Sequence, residues 1–346
     1  MSRPAAVIVL AAGKGTRMKS AHPKVVHPVA GLSMIGHALR AGAALEPDHL
    51  VAVVRHERER VVEEITAVMP QTFIADQDDI PGTGRAVQCA LEALTAAHGA
   101  PAGTVVVTSG DVPMLAPDTL TALVSTHEEG GHAVTILTSI APDPTGYGRI
   151  LRGSDGTVTG IVEQRDATDE QRAITEVNAG VYAFDGGFLA QTLSTLGTDN
   201  DQGEVYLTDV VSAAVAAGRT ATALVLDDSW QAEGCNDRVQ LAALGAEFNR
   251  RICETHMREG VTIVDPASTW IECDVRIGAD TIIEPNTYLR GKTVIGSNCV
   301  IGPHTTLTSV EVGDGSVLPA TWGSDEVLPA DTIGTPFRVL GQVTTH

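Results

Sequence analysis

Aromatic residues are scarce: five Phe, four Tyr and three Trp amount to 3% of the chain, so aliphatic side chains must fill the core. The five cysteines, Cys89, Cys235, Cys253, Cys273 and Cys299, lie far apart with no C-x-x-C pair. That spacing argues against a disulfide framework and a zinc site, and for a reduced, cytoplasmic chain. No charged-then-apolar segment opens the sequence, and no run of about 18 apolar residues occurs, so a soluble intracellular protein is expected. Positive charge is short as well. Lys and Arg number 23 against 43 Asp and Glu, a net charge of −20, which excludes a general nucleic-acid or membrane-surface role, since both need basic patches. Any anionic ligand must therefore meet a local positive pocket. The eleven histidines show no H-x-x-x-H pair in a credible helix and receive no role.

What is present starts at Val7-Ile8-Val9-Leu10, an apolar run that reads as a buried strand. It enters Ala11-Ala12-Gly13-Lys14-Gly15-Thr16-Arg17-Met18. Small residues and glycines let a ligand approach the backbone, and successive free N–H groups form an anion-binding concavity. Arg17 and Lys24 add a planar fork and a point charge, a pair suited to polyphosphate. The dinucleotide fingerprint fails because Met18 stands where its third glycine belongs, and no P-loop spacing follows Leu10. Glycines alone would also make a plain turn.

Strand and helix then alternate. Ser33 caps a helix with Met34, Ile35, Ala38 and Leu39; strands are expected at 50–54, 72–75, 104–108 and 132–140, with helices over 57–69 and 84–98. The alternation predicts an α/β fold with a mostly parallel sheet covered by helices, and ligands beyond the carboxyl ends of its strands. Asp111 follows one such strand in Ser109-Gly110-Asp111-Val112-Pro113. A carboxylate there suits Mg²⁺, or merely caps a turn. Asp155-Gly156 marks a hairpin. Asn236 precedes a helix with Leu241, Leu244, Phe248 and Ile252, running to about Arg258. From Val275 the texture changes: Ile277, Ile283, Leu289, Ile295, Ile301 and Leu307 recur every six residues. That period is the signature of a left-handed parallel β-helix. About two coils are expected, the repeat fading after Val312.

LAAGKGTRM followed by Pro23-Lys24, with the segments around Gln77, Asp111, Gly148, Glu163, Asn178 and Asn236, resembles the sugar-1-phosphate nucleotidyltransferases. The resemblance is closest to the bifunctional bacterial enzymes of UDP-N-acetylglucosamine synthesis and extends over roughly 5–317. It implies a Rossmann-like uridylyltransferase domain over 1–236, a linker helix over 237–259, a short β-helix over 260–318 and a tail over 319–346. It implies the substrates UTP and N-acetylglucosamine 1-phosphate. Leu10, Ala11, Ala12, Gly13, Gln77, Gly82 and Thr83 would hold the nucleotide. Gly148, Glu163 and Asn178 would hold the sugar, Arg17 and Lys24 would act on the phosphates, and Asp111 with Asn236 would hold Mg²⁺. A homotrimer through the β-helix is the assembly implied. The family's acetyltransferase residues lie in further coils, so acetyl transfer is not expected. Another sugar 1-phosphate, or an idle paralogue that binds a UDP-sugar, are the competing readings.

Overall fold

A computed structural model describes residues 3–198, 200 and 202–341. The chain divides into two compact units, one of residues 1–27 and 33–238, the other of 28–32 and 239–346. The sequence reading had left 28–32 wholly in the first domain. The correction comes from long-range pairing, since Cys273 N donates to Ala30 O across 2.9 Å, and nothing local announces it.

The first unit is built on Ala6–Leu10, a strand buried on both faces. It pairs in parallel with His49–Val54 on one side and Thr104–Ser109 on the other. Phe73–Asp76 extends the sheet at one edge. At the other, Glu176–Asp185 runs antiparallel to both Thr104–Ser109 and Val134–Ile140, and Ala221–Leu226 continues in parallel. A hairpin, Arg149–Arg152 with Val158–Val162, attaches to Glu176–Asp185 outside the main path.

Alternating side chains divide the core in two. Ile8, Val53, Val105 and Val107 pack with Val87, Leu91 and Leu94 of helix Thr83–His98. Val7, Val9, Ala52 and Val106 pack with Ile35 and Leu39 of helix Met34–Ala43 and with Leu120 and Leu123 of helix Pro117–Gly130. The Ser33 hydroxyl accepts from Gly36 N at 3.1 Å, as its position before the helix predicts. Helices Pro117–Gly130, Gly186–Leu193 and Asp209–Ala216 go beyond the sequence reading. Among the described residues no helix is long and apolar enough to cross a membrane.

The second unit holds helix Arg238–Arg258 and a left-handed β-helix whose faces carry four, five and four short parallel strands. Thr262–Ile263 and Trp270–Ile271 precede the strict repeat; Val317–Leu318, Trp322–Ser324, Val327–Leu328 and Val339–Leu340 follow it. The expectation of about two coils, with the β-helix ending at 318 and a tail over 319–346, is thus corrected by strands that continue to Val339–Leu340, while residues 342–346 lie outside the described residues. The cause is a change of step. A full turn carries Ile282 to Val300, but Val294 to Glu311 is one residue shorter and Thr306 to Trp322 two. A strict period of six is lost while the stacking continues. The axis is filled by Ile283, Leu289, Ile301 and Leu307, all fully buried. Leu307→Ala is expected to destabilise this unit by about 2–5 kcal/mol, the usual range for truncating a buried Leu; a urea unfolding midpoint equal to wild type would contradict it.

Candidate active site

The four parallel strands of the first unit that lie side by side end at one edge, and Ala6–Leu10 sits where the chain order reverses between them. Open α/β sheets place their ligand crevice there. A cavity of about 330 Å³ occupies this edge, lined by Leu10, Ala11, Ala12, Gly13, Gln77, Gly82, Thr83, Lys24 and Asp111 among others. All seven expected nucleotide residues therefore face one space.

Two glycines are required by close approach. Gly15 has φ +60°, and a Cβ there would stand 2.5 Å from Lys24 Cβ. Gly82 has φ +119°, and a Cβ would stand 2.2 Å from Val205 O. Segment 81–84 is fastened to the loop around Val205 by Val205 N donating to Pro81 O (3.0 Å) and Gly84 N donating to Val205 O (2.8 Å). Leu207 N donates to Thr83 Oγ1 at 3.2 Å. The Gln77 amide nitrogen donates to Ile80 O (3.0 Å) and Gly82 O (3.2 Å), which holds the turn from inside.

Lys24 meets both expected metal ligands, and Arg17 meets one of them. Lys24 Nζ donates to Asp111 Oδ2 and, at 3.2 Å, to Asn236 Oδ1. Arg17, which does not itself line the cavity, donates to the same Asn236 Oδ1 at 2.8 Å. Asn236 is brought beside Asp111 because Cys235 N donates to Asp111 O at 3.0 Å. Ser109 Oγ donates to Asp111 Oδ1 at 2.6 Å and so orients the carboxylate. Burial pushes the neighbouring Cys235 thiol up to about 11, so it stays protonated at neutral pH. The donor set fits Mg²⁺. One carboxylate and one amide oxygen already converge on a cation, the Lys24 ammonium, and Mg²⁺ takes one or two protein oxygens and completes its shell with phosphates and water.

Gly148, Glu163 and Asn178 gather into a second group on the hairpin and on Glu176–Asp185, outside that cavity lining. Asn178 N donates to Gly148 O at 2.9 Å. A Cβ on Gly148 would lie 3.4 Å from Glu163 Oε1. The strand register breaks between Asn178 and Val181, the kind of irregularity that re-aims a side chain. Asn178 Oδ1 accepts from Gly180 N at 3.0 Å and its amide nitrogen donates to Tyr182 Oη at 2.6 Å. Burial raises the Glu163 carboxyl above the ordinary range; Thr208 Oγ1, donating to it at 3.3 Å, opposes this, and Asp166, Asp209 and Glu204 add to it. Tyr147 Oη donates to Glu233 at 3.5 Å and links this group to the segment that carries Asn236.

Lys14, Arg55, His56 and Glu204 also line the cavity and were missed from sequence. Arg55 and His56 directly follow strand His49–Val54, so the strand-end rule had the signal for them. Glu204 had no local signal; it arrives with Val205.

Comparison with known proteins agrees with this layout. Residues 7–170 match the MobA-like NTP transferase domain, and residues 274–309 the bacterial transferase hexapeptide of six repeats. The chain is 55% identical over 337 residues to the bifunctional protein GlmU of Paenarthrobacter aurescens, covering 97% of this chain and 68% of that one. Identity is 52% over 343 residues with the GlmU of Mycolicibacterium smegmatis, covering 98% and 70%. With that of Thermobifida fusca it is 51% over 327 residues, covering 94% and 68%.

Gly82→Ala is expected to cost about 1–3 kcal/mol, the range for a side chain held in a sparsely populated backbone region. Thermal unfolding reads it, and an unchanged midpoint would mean that segment 81–84 can leave Val205 freely.

Proposed function

The chain belongs to the GlmU family and is a nucleotidyltransferase, and from that premise we propose that it joins UTP to N-acetylglucosamine 1-phosphate, releasing UDP-N-acetylglucosamine and pyrophosphate. The observation that carries the reading is the convergence of Arg17, Lys24, Asp111 and Asn236 at the edge of the cavity walled by Leu10–Gly13 and 77–83. A phosphate oxygen of the sugar attacks the α-phosphorus in line; that P–O bond forms as the bond to the β-phosphate bridging oxygen breaks. The nucleophile is already an anion, so no general base is needed, and positioning with charge neutralisation supplies the catalysis.

Each part of the site has a task in this reading. The loop over 10–13 offers backbone N–H groups to the phosphates. Arg17 holds the leaving pyrophosphate, and Lys24 stays with the phosphates at the reacting centre. Asp111 and Asn236 would hold Mg²⁺, which when bound neutralises charge between the two phosphates. Gln77 has its amide nitrogen engaged within its own turn, which leaves its oxygen to accept from the uracil N–H. Gly82 and Thr83 close over the base. Glu163 and Asn178 receive the sugar hydroxyls and acetamido group, with Gly148 keeping the space beside Glu163 open.

The same reading carries a homotrimer formed through the β-helix. One face stacks Trp270, Tyr288, Thr306 and Trp322 in register, and Trp322 is 58% exposed. In a chain so poor in aromatics, such a face is suited to be covered by a second copy. Light scattering of the full chain reads this, and a monomer would remove it.

The testing experiment is pyrophosphate release from UTP, Mg²⁺ and N-acetylglucosamine 1-phosphate, with other sugar 1-phosphates as a panel. Acetyl-CoA with glucosamine 1-phosphate forms a separate arm. Release with the first mixture is expected; silence across the panel would sink the proposal. Arg17→Ala and Lys24→Ala should each lower kcat on the order of 10²–10³-fold, as loss of one preorganised donor does. Asp111→Ala should abolish the response to Mg²⁺.

The pH dependence follows from Glu163. Burial raises its carboxyl above the ordinary range, and only the ionised form accepts sugar hydroxyls through both oxygens, since protonation turns one of them into a donor. Lowering the pH through that raised value should therefore increase KM for the sugar phosphate before KM for UTP. Glu163→Gln should erase this acidic limb.

A further inference from the structure

Arg149 is the largest fully buried side chain of the protein, 1% exposed. Its guanidinium donates to three neutral oxygens: Tyr147 O, Gln164 Oε1 at 2.7 Å and Arg172 O at 3.3 Å. Its Nε is buried without a partner among the described residues. A cation taken out of water onto neutral acceptors, one donor left over, is a costly arrangement that a well-packed apolar side chain would often match or better in stability. Fold stability therefore does not account for it.

Two of the three acceptors flank the sugar group, and the third is Arg172 O of the short helix Asp169–Arg172. Tyr147 precedes Gly148, and Gln164 follows Glu163. Gln164 Oε1 also accepts from Gly146 N at 3.2 Å, so one amide oxygen joins the turn before Gly148 to the guanidinium. Register adds a second, independent observation. Arg149 stands opposite Val162 on the hairpin and opposite Val177 on the neighbouring strand. Gly148, Glu163 and Asn178 are each one residue removed from those three. Side chains alternate across a strand, so the trio and the Arg149 row belong to opposite faces of the same small sheet.

We propose that Arg149 is the positioning residue of the sugar subsite: from the far face it ties the Gly146–Gly148 turn to the end of strand Val158–Val162, so that Gly148 and Glu163 keep the spacing a sugar needs. The inference rests on the reading of Gly148, Glu163 and Asn178 as sugar ligands. Arg149 does not touch the substrate. Its effect is confined to the hairpin side, while the nucleotide loop over 10–13 and the turn at 77–83 have their own supports.

The test is Arg149→Met, which keeps an unbranched stem and removes the charge and the fork. KM for N-acetylglucosamine 1-phosphate should rise roughly tenfold, what the loss of about one charge-assisted hydrogen bond commands. KM for UTP should stay within about twofold, and the thermal midpoint should hold or rise, as replacement of a buried charge allows. A lower midpoint with the ratio of the two KM values unchanged would make Arg149 a purely structural residue and overturn the proposal. Gln164→Leu removes the shared acceptor and leaves the cation in place, so it decides the matter if Arg149→Met does not fold. A sugar-specific rise in KM supports the proposal, and wild-type values overturn it. Glu163→Gln separates the two levels: if it leaves the sugar KM untouched, the reading of the subsite fails, whereas a large effect there with none at Arg149 or Gln164 defeats only this inference.

Discussion

The parallel pairing of Ala6–Leu10 with a strand on each side is the constraint from which the first unit takes its shape. Because neighbouring strands point the same way, their carboxyl ends arrive at one edge, and the loops that follow Leu10, Val54, Asp76 and Ser109 must share it. Ala11 N donates to Val53 O, Gln77 N to Val54 O and Gly110 N to Leu10 O, so the ladder runs on just past the strands and holds the first residues of three of those loops. A nucleotide-binding edge then needs only small residues where the ligand approaches and cations where charge collects. The chain supplies both within the stretch from Leu10 to Lys24.

The second feature is electrostatic. In a chain of net charge −20, two loop cations come to the same small region, where Asp111 and Asn236 receive them. Lys24 and Asp111 are largely buried, with side chains 14% and 17% exposed, so their field is less screened than at an open surface. The group of Gly148, Glu163 and Asn178 is built differently. There Glu176–Asp185 enters the sheet antiparallel, its register slips at Asn178, and the hairpin that carries Gly148 leads to Glu163. One group gathers the Lys24 ammonium and the Arg17 guanidinium, suited in the proposed reading to phosphates. The other holds neutral donors and a carboxylate whose proton affinity is raised by burial, a combination suited to hydroxyls and an amide rather than to a second anion.

Legibility from the letters follows the range of the interactions involved. The strand at Val7–Leu10, the cap at Ser33 and the turn at Asp155-Gly156 each express local backbone preferences, and each was readable. The six-residue repeat was readable for the same reason, since one face of the β-helix repeats its neighbour's steric needs. It ceased to be readable where coils shorten by one or two residues between Val294 and Trp322, because a count of six cannot follow a step that changes. Lys14, Arg55 and His56 could have been taken from strand ends.

Taken alone, the sequence determined the elements whose pattern is local: the strand at Val7–Leu10, the strict six-residue repeat, and the place where cations gather along the chain. The meeting of those elements was left to the tertiary structure. Lys24 finds Asp111 across 87 residues and Asn236 across 212, and Gly82 finds Val205 only because a distant segment folds back beside it. Arg149 looks in sequence like any charged residue of a hairpin; it is the packing that buries it and pairs it with Val162 and Val177, bringing Glu163 and Asn178 alongside Gly148. Dihedral preference and side-chain periodicity act over a few residues and are written locally. Burial, desolvation and the convergence of charge depend on which segments become neighbours, and that is decided only when the whole sheet has closed around its core.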